Sequence, residues 1–214
     1  MPILLRRRFL VGMTLVPALA RGEEQEEVSP AEDLMREHGV LKRALLVYNE
    51  AVSRLERKQE LPPAVIPDTA QLIRKFVEEY HEKLEEDYLF PRFRKANKLV
   101  DLVNTLKAQH DAGRRLTARI IANARDASKR DQVIQDMRMF VRMYEPHEAW
   151  EDTVLFPAFR KLVSKHEYDA LGEDFEKKEN QEFGGDGFEK NVAEIARIEK
   201  TIGIYDLGQF TPRV

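Results

Sequence analysis

The sequence predicts an all-α protein, an up-down antiparallel four-helix bundle with a short C-terminal helical extension. Three observations favour this fold class. Apolar residues recur at steps of three and four over most of residues 30–162, which is the period of a helix with one buried face. Proline-rich or polar segments divide this stretch into four parts. Connections this short place consecutive helices next to each other and antiparallel.

The first two helices have recognisable boundaries. Ser29 followed by Pro30 is typical of a helix start, and the apolar spacing continues to about residue 58. A connection with three prolines follows. Asp68 is a suitable N-terminal cap for the second helix, and Pro91 is expected to end or kink that helix.

The third and fourth helices flank a polar turn at residues 126–131. The third is predicted over about residues 97–124, and the fourth from the turn to about residue 162. Pro146 and Pro157 are expected to bend the fourth helix.

Residues 163–214 are predicted to form a helical extension that packs on the bundle. Ser164 and Glu167 form a capping-box pattern, which predicts a short helix after Ser164. A glycine-rich turn then precedes a second amphipathic helix at about residues 188–202. We expect this extension to contribute packing and no chemistry of its own.

Residues 1–20 have the layout of an export signal, with basic residues, a mildly apolar run and small residues at the end. The three arginines at 6–8 resemble the twin-arginine signal, although Leu5 stands where that motif usually has Ser or Thr. The apolar run is too short to span a bilayer. We therefore expect export to the periplasm, with residues 21–29 as a solvated lead-in. Without a signal, the protein would be cytoplasmic.

The composition excludes several classes of site and partner. The chain has 214 residues and no cysteine, so disulfides, thiolate zinc sites and iron–sulfur clusters are excluded. A net charge of −3 gives no basis for nucleic-acid binding. We expect no membrane span in the mature chain, since charged residues make up 34% of the sequence. Any metal site must use nitrogen and oxygen ligands, so the placement of the five histidines is informative.

An internal repeat links the second and fourth helices. Residues 81–95 read HEKLEEDYLFPRFRK and residues 147–161 read HEAWEDTVLFPAFRK, which are identical at nine of fifteen positions. The helix before each repeat carries a single inward histidine, His38 or His110. This similarity indicates a duplicated helix pair. The leucines and phenylalanines of the repeat are expected to close one end of the site.

The helix rise places four histidines at one height in the bundle. His110 and His147 lie about 16 residues on either side of the turn between their helices, and at about 1.5 Å per residue they return to one level. Residues i and i+4 share a helix face, so each repeat histidine points the same way as a glutamate. Two divalent cations would satisfy these buried carboxylates. The predicted metal ligands are His38, His81, Glu85, His110, His147 and Glu151.

Neighbouring positions leave alternatives open. Asp152 directly follows Glu151, but position i+5 turns away from His147. Glu82 and Glu148 directly follow two ligand histidines and are candidate extra ligands or outer partners. The bundle could also be purely structural, with each histidine hydrogen-bonded. Four of the five histidines at matching heights, two of them with glutamate at i+4, favour a metal centre.

With these residues identified, the chain resembles the hemerythrin-like (HHE cation-binding) family. The resemblance covers roughly residues 30–162 and rests on the pattern His…His-x-x-x-Glu…His…His-x-x-x-Glu together with the LFP repeats. It implies a non-haem di-iron centre, with two iron ions bridged by Glu85 and Glu151. Some members of the family have His-x-x-x-x-Asp instead, so the resemblance also leaves Asp152 as an alternative to Glu151. It also implies an open position for a small ligand such as dioxygen or nitric oxide. Manganese and other divalent ions suit the same ligands.

The sequence departs from the oxygen-carrying members of this family, which have a second histidine one turn away on the third helix. Here Leu106 and Arg114 stand at those positions around His110. The resemblance then implies a di-iron protein that binds dioxygen or another diatomic ligand for sensing, storage or scavenging. The alternatives are a di-iron enzyme that activates dioxygen, peroxide or nitric oxide, and an iron storage or handling protein. No residue is assigned a catalytic role.

Overall fold

The computed structural model describes residues 28–214. The predicted export signal and most of the lead-in lie outside this range. Within it, the backbone is helical apart from turns and connections, which confirms the all-α prediction for these residues. None of the helices in this range is both long and apolar enough to cross a membrane.

Six helices account for most of the described chain. They are α1 (Pro30–Glu56), α2 (Val65–Leu72, Ile73–His81, Glu82–Leu84, Glu85–Leu89 and Phe90–Lys95 without a break), α3 (Val100–Asn123), α4 (Arg130–Trp150, Glu151–Leu155 and Phe156–Leu162), α5 (Lys165–Phe183) and α6 (Gly187–Ile202). The first four contact one another in a ring, in which α1 and α3 each pack against both α2 and α4. This ring positions the candidate site.

Local signals in the sequence explain where some helices begin. The Ser164 hydroxyl accepts a hydrogen bond from the Glu167 N–H at 3.2 Å, as the capping pattern predicts. The expected start of the second helix at Asp68 is wrong, because α2 begins at Val65. The Val65 N–H bonds to the Pro62 carbonyl, so the helix starts inside the proline-rich connection.

Pro91 was expected to end or kink the second helix, but α2 continues past it. In an α-helix, the proline ring clashes with the carbonyl four residues before it. Here the preceding turn, Glu85–Leu89, is π-helical. The Phe90 N–H donates to the carbonyl of Glu85, five residues before it. The same widened turn, over Glu151–Leu155, precedes Pro157 in α4. Each of these turns therefore begins at a predicted metal ligand.

The core fills the inside of the ring. The leucines and phenylalanines of the repeat are all buried, namely Leu89, Phe90, Phe93, Leu155, Phe156 and Phe159. α6 contacts α1 and α2, where Glu199 of α6 forms an ion pair with Arg43 of α1. α5 contacts α1 and α6. The two C-terminal helices thus cover the α1 side of the ring.

Candidate metal centre

The six predicted ligands lie together inside the ring. Each is at most 4% exposed. α1 and α3 supply one histidine each, whereas α2 and α4 each supply a histidine and the glutamate one turn later. The fifth histidine, His166, is exposed in α5 and takes no part.

The ligand atoms form two adjoining groups that share a carboxylate. His38, His81 and Glu85 form the first group, with one atom from each lying within 4.8 Å of the others. The second group consists of Glu85, His110, His147 and Glu151, again with one atom from each lying within 4.8 Å of the others. Glu151 also reaches both groups, because its oxygens lie 3.4 Å from Nε2 of His38 and 3.1 Å from Nε2 of His147.

The glutamates have no hydrogen bonds that would offset their burial. Both carboxylate oxygens of Glu85 and both of Glu151 are buried without a hydrogen-bond partner. In addition, Nε2 of His110 lies 3.2 Å from Nε2 of His147. Buried carboxylates are costly unless they are paired. Four imidazole nitrogens and two carboxylates around one space fit two divalent transition-metal ions.

His81 and His147 each make a hydrogen bond through Nδ1 with a residue on the neighbouring helix. That residue directly precedes the ligand histidine of its own helix. Glu37 Oε2 lies 2.6 Å from Nδ1 of His81. At the equivalent place in the second half, Gln109 Oε1 lies 2.8 Å from Nδ1 of His147. An acceptor at Nδ1 keeps the proton there and leaves Nε2 free to bind a metal.

His38 and His110 make the equivalent hydrogen bond through Nδ1 with the residue that directly follows a ligand glutamate. Asp152 Oδ1 lies 2.8 Å from Nδ1 of His38, and Glu86 Oε1 lies 3.1 Å from Nδ1 of His110. Asp152 thus stands behind a histidine, whereas Glu151 faces the ligand nitrogens. The four hydrogen bonds to Nδ1 thus lie at matching positions in the two halves of the duplication.

The repeat carried a signal for these outer partners that helical spacing alone does not show. Glu37 and Gln109 occupy matching positions in the two halves, and so do Glu86 and Asp152. Of these four, only Asp152 was named in the prediction, as an alternative to Glu151. The other three stand at no spacing from a ligand on their own helix that indicates a shared face. They contact histidines on neighbouring helices instead.

Glu82 does not face the centre. Tyr144 donates a hydrogen bond to Glu82 at 2.5 Å, and the Arg114 guanidinium lies 2.6 Å from Glu82 and 2.7 Å from Glu86. Glu82, Glu86 and His110 could by distance hold a cation. Arg114, one helical turn after His110, already supplies the positive charge there.

Aromatic rings and one surface lysine close the centre. Phe90 and Phe156, at matching positions of the repeat, stack on ligand histidines with ring centroids 5.5 and 5.6 Å apart. The buried carboxylate of Glu148 lies 3.1 Å from the Lys42 ammonium, so it too points away from the ligands. These contacts exclude water from the centre and pair the charges around it.

A small surface opening lies beside one ligand histidine, His147. It has a volume of about 270 Å³ and is lined by apolar side chains together with Thr105, Gln109 and His147. Trp150, which is 55% exposed, stands at its rim. No charged side chain lines this opening.

Burial and hydrogen bonds set the protonation of the metal-free centre. Burial lowers the pKa of His110 to about 4. Burial also opposes the charged form of His38, but the hydrogen bond with Asp152 and the nearby negative charge of Glu151 outweigh it and raise its pKa to about 10. Burial, and then the neighbouring Glu151, raise the pKa of Glu85 well above its usual range. A metal must therefore displace protons, so its affinity increases with pH.

Comparison with known proteins finds relatives along most of the chain. It is 48% identical over 195 residues to proteins of Mycobacterium bovis and of two strains of Mycobacterium tuberculosis, all named as uncharacterized. The aligned region covers 89% of this chain and 76% of each relative. No solved structure matches.

The family model described as Hemerythrin HHE cation binding domain matches the sequence twice, over residues 29–143 and 102–198. Together the two matches include all six predicted ligands and extend into α6. The chain belongs to the hemerythrin HHE cation-binding domain family.

Proposed function

We propose that this protein is a non-haem di-iron protein that binds dioxygen or another small diatomic ligand, for sensing, storage or scavenging. The ring of four helices would be the up-down antiparallel bundle that holds both ions. Membership of a cation-binding family supports metal binding. The choice of iron and of a diatomic ligand is our inference from the ligand set and the space beside it.

One observation carries the proposal. Two pairs of imidazole nitrogens adjoin two carboxylates that are fully buried and lack hydrogen-bond partners. A structural bundle would leave these carboxylates at a large cost, whereas two divalent ions would pair both of them. Glu85 and Glu151 each lie near histidines of both pairs, as a bridging role requires.

The protein donors are few enough to leave room for a further ligand. Four histidines and two glutamates serve two ions, and the positions one turn before and after His110 hold Leu106 and Arg114 instead of a fifth histidine. The opening beside His147 admits small molecules and presents no charge. Bound iron would supply the redox-active centre, while the chain itself orients the imidazoles through Nδ1 and keeps bulk water out.

The test is anaerobic reconstitution of the full chain with ferrous iron, followed by a metal count and absorption spectra before and after oxygen is added. We expect two irons per chain and a charge-transfer band that appears with oxygen and fades under vacuum. His110→Ala should bind less than one iron per chain. The matched control His166→Ala, at the exposed histidine, should bind as much as the unaltered chain.

The alternatives give different results in this experiment. Two irons with an irreversible spectral change and multiple turnovers would replace the binding function with a di-iron enzyme. Iron that exchanges freely with a weak chelator would indicate iron handling. Less than one iron per chain, with His110→Ala equal to the unaltered protein, would leave only a structural helical bundle.

A further inference from the structure

A cavity lies at the end of the bundle where both helix connections are found. It has a volume of about 470 Å³ and is lined by the connection from α1 to α2 and by the turn from α3 to α4. Leu55, near the end of α1, also lines it and follows His38 by 17 residues. At about 1.5 Å per residue, this spacing is about 25 Å along the helix. The cavity is therefore separate from the proposed metal centre.

One side of this cavity is formed by residues that have no equivalent in the second half of the duplication. α1 extends 18 residues beyond His38, whereas α3 extends 13 residues beyond His110. Leu55 lies in the additional turn of α1, and Pro62 and Pro63 lie in the connection after it. Because proline has a fixed φ angle, this wall loses little freedom when a ligand contacts it.

The lining of the cavity is mostly apolar. Eight of the twelve residues that line it are leucine, isoleucine, valine, alanine or proline. Leu61 and Pro62 are half-buried and Pro63 is exposed, so apolar surface remains in contact with water. Small-molecule sites are typically lined in this way and have volumes of about 300–1,000 Å³. The cavity can thus accommodate the apolar part of a small molecule.

Two arginines of the lining have no anionic partner. Arg125 is exposed and Arg130 is half-buried. Among the residues that the structure describes, neither guanidinium forms a hydrogen bond, an ion pair or a contact with an aromatic ring. Removing a guanidinium from water costs free energy that an anion normally offsets. An anionic group in the cavity would supply the partner that Arg130 lacks.

The acidic residue of the lining, Asp126, is engaged within its own turn. Its Oδ1 accepts hydrogen bonds from the N–H of Ser128 at 2.8 Å and from the Ser128 hydroxyl at 2.7 Å. Two arginines and one aspartate leave the lining with an excess of positive charge. The planar guanidinium matches the two oxygens of a carboxylate. The cavity therefore combines an apolar lining with a place for a carboxylate.

We propose that this cavity binds a small amphipathic carboxylate, the anion of a carboxylic acid with an aliphatic chain. The carboxylate would pair with Arg130 and Arg125. The aliphatic chain would lie against Leu55, Leu61 and Ile66. Such a ligand contacts both helix connections, so its binding stabilises the folded chain. This site goes beyond the proposed di-metal function and does not depend on it.

The test is isothermal titration calorimetry of the full chain with octanoate, and with octan-1-ol as the uncharged ligand of the same chain length. We expect one octanoate per chain, and octan-1-ol at least about tenfold weaker. Arg125→Gln combined with Arg130→Gln should weaken octanoate about tenfold and leave octan-1-ol unchanged. Arg115→Gln combined with Arg142→Gln, at two exposed arginines outside the cavity, is the matched control and should change neither affinity.

A second pair of variants tests the apolar part of the cavity. Ala127 is exposed and lines the cavity, so Ala127→Phe fills space there without disturbing the core. This variant should lose both ligands. Ala122→Phe, at an exposed position of α3 outside the cavity, is its control and should keep both. Treatment with a chelator should leave octanoate binding unchanged, because the cavity is remote from the metal centre.

The outcomes separate this inference from the proposed function. Octanoate that binds equally to the unaltered chain and to the double arginine variant would overturn the proposed site. Octanoate that binds only to the metal-loaded chain would overturn it too, since the ligand would then be at the centre. If octanoate does not bind and Ala127→Phe converts a dimer to a monomer, the cavity is a contact between two copies of the chain. None of these results alters the iron count that tests the di-metal function.

Discussion

Glu85 differs from an ordinary buried carboxylate in having no partner for either oxygen. Asp136 is a useful contrast, because it is equally buried but bonds to Arg119 at 2.7 Å and to Gln132 at 2.9 Å. A satisfied carboxylate stabilises the fold, whereas an unsatisfied one destabilises the metal-free chain. The two residues therefore make opposite contributions to stability.

We predict that Glu85→Leu stabilises the metal-free chain while it abolishes binding of the second metal ion. Removing the unpaired carboxylate should raise the free energy of unfolding by about 1–3 kcal/mol. Asp136→Leu should lower it by about 1–3 kcal/mol, because Arg119 and Gln132 lose their acceptor. Urea unfolding of chelator-treated protein measures both. A less stable Glu85→Leu chain would mean that this carboxylate has a structural partner and is not kept for metal.

At the scale of helices, the π-helical turns decide where the ligand glutamates point. A turn of more than 3.6 residues changes the direction of every side chain that follows it. Both turns that begin at a ligand glutamate end just before a proline, at Pro91 and Pro157. A wider turn relieves the conflict between the proline ring and the carbonyl four residues earlier. Pro146, by contrast, lies in α4 after an ordinary α-helical turn. No proline accounts for the π-helical segment Ile73–His81.

We predict that Pro91→Ala weakens metal binding while it stabilises the metal-free helix. Alanine restores an N–H and removes the steric conflict, so the turn can return to α-helical geometry and move Glu85. Metal affinity, measured by competition with a chelator, should fall about tenfold, or about 1.4 kcal/mol. Pro62→Ala, in the connection before α2, serves as the control and should leave affinity unchanged. Equal affinity in both variants would show that Pro91 does not position the ligand.

The helices show what could be predicted from sequence and what could not. Periodicity and caps predict four long helices, and the i, i+4 rule brings His81 and Glu85 to one face. Those rules assume a uniform α-helix, so the continuation of α2 through Pro91 did not follow from them. Contacts between helices, such as Glu37 with His81, depend on helix rotation, which spacing within one helix does not define.

For the molecule as a whole, the duplication makes the two proposed metal positions similar but not equal. Equivalent residues hold the equivalent histidines, with one chemical difference. Glu37 offers a carboxylate to His81, whereas Gln109 offers a neutral amide to His147. A carboxylate partner makes an imidazole a stronger electron donor to a metal. The ion near His81 should therefore be held more tightly.

We predict that the chain binds two metal ions in resolved steps and that Glu37→Gln brings the two affinities together. The tighter step should weaken about tenfold or more, because outer partners of ligand histidines typically contribute that much. Gln109→Glu should instead strengthen the weaker step. Anaerobic calorimetric titration at equilibrium gives both constants. Equal weakening of both steps by Glu37→Gln would contradict the assigned asymmetry.

Trp150 gives the molecule a built-in optical reporter. It is the one tryptophan of the chain and stands at the rim of the uncharged opening, three residues after His147. Its emission is therefore not diluted by other indoles, and a paramagnetic ion at the nearby centre quenches it. The arrival of such an ion at the centre can thus be followed by fluorescence, without any label.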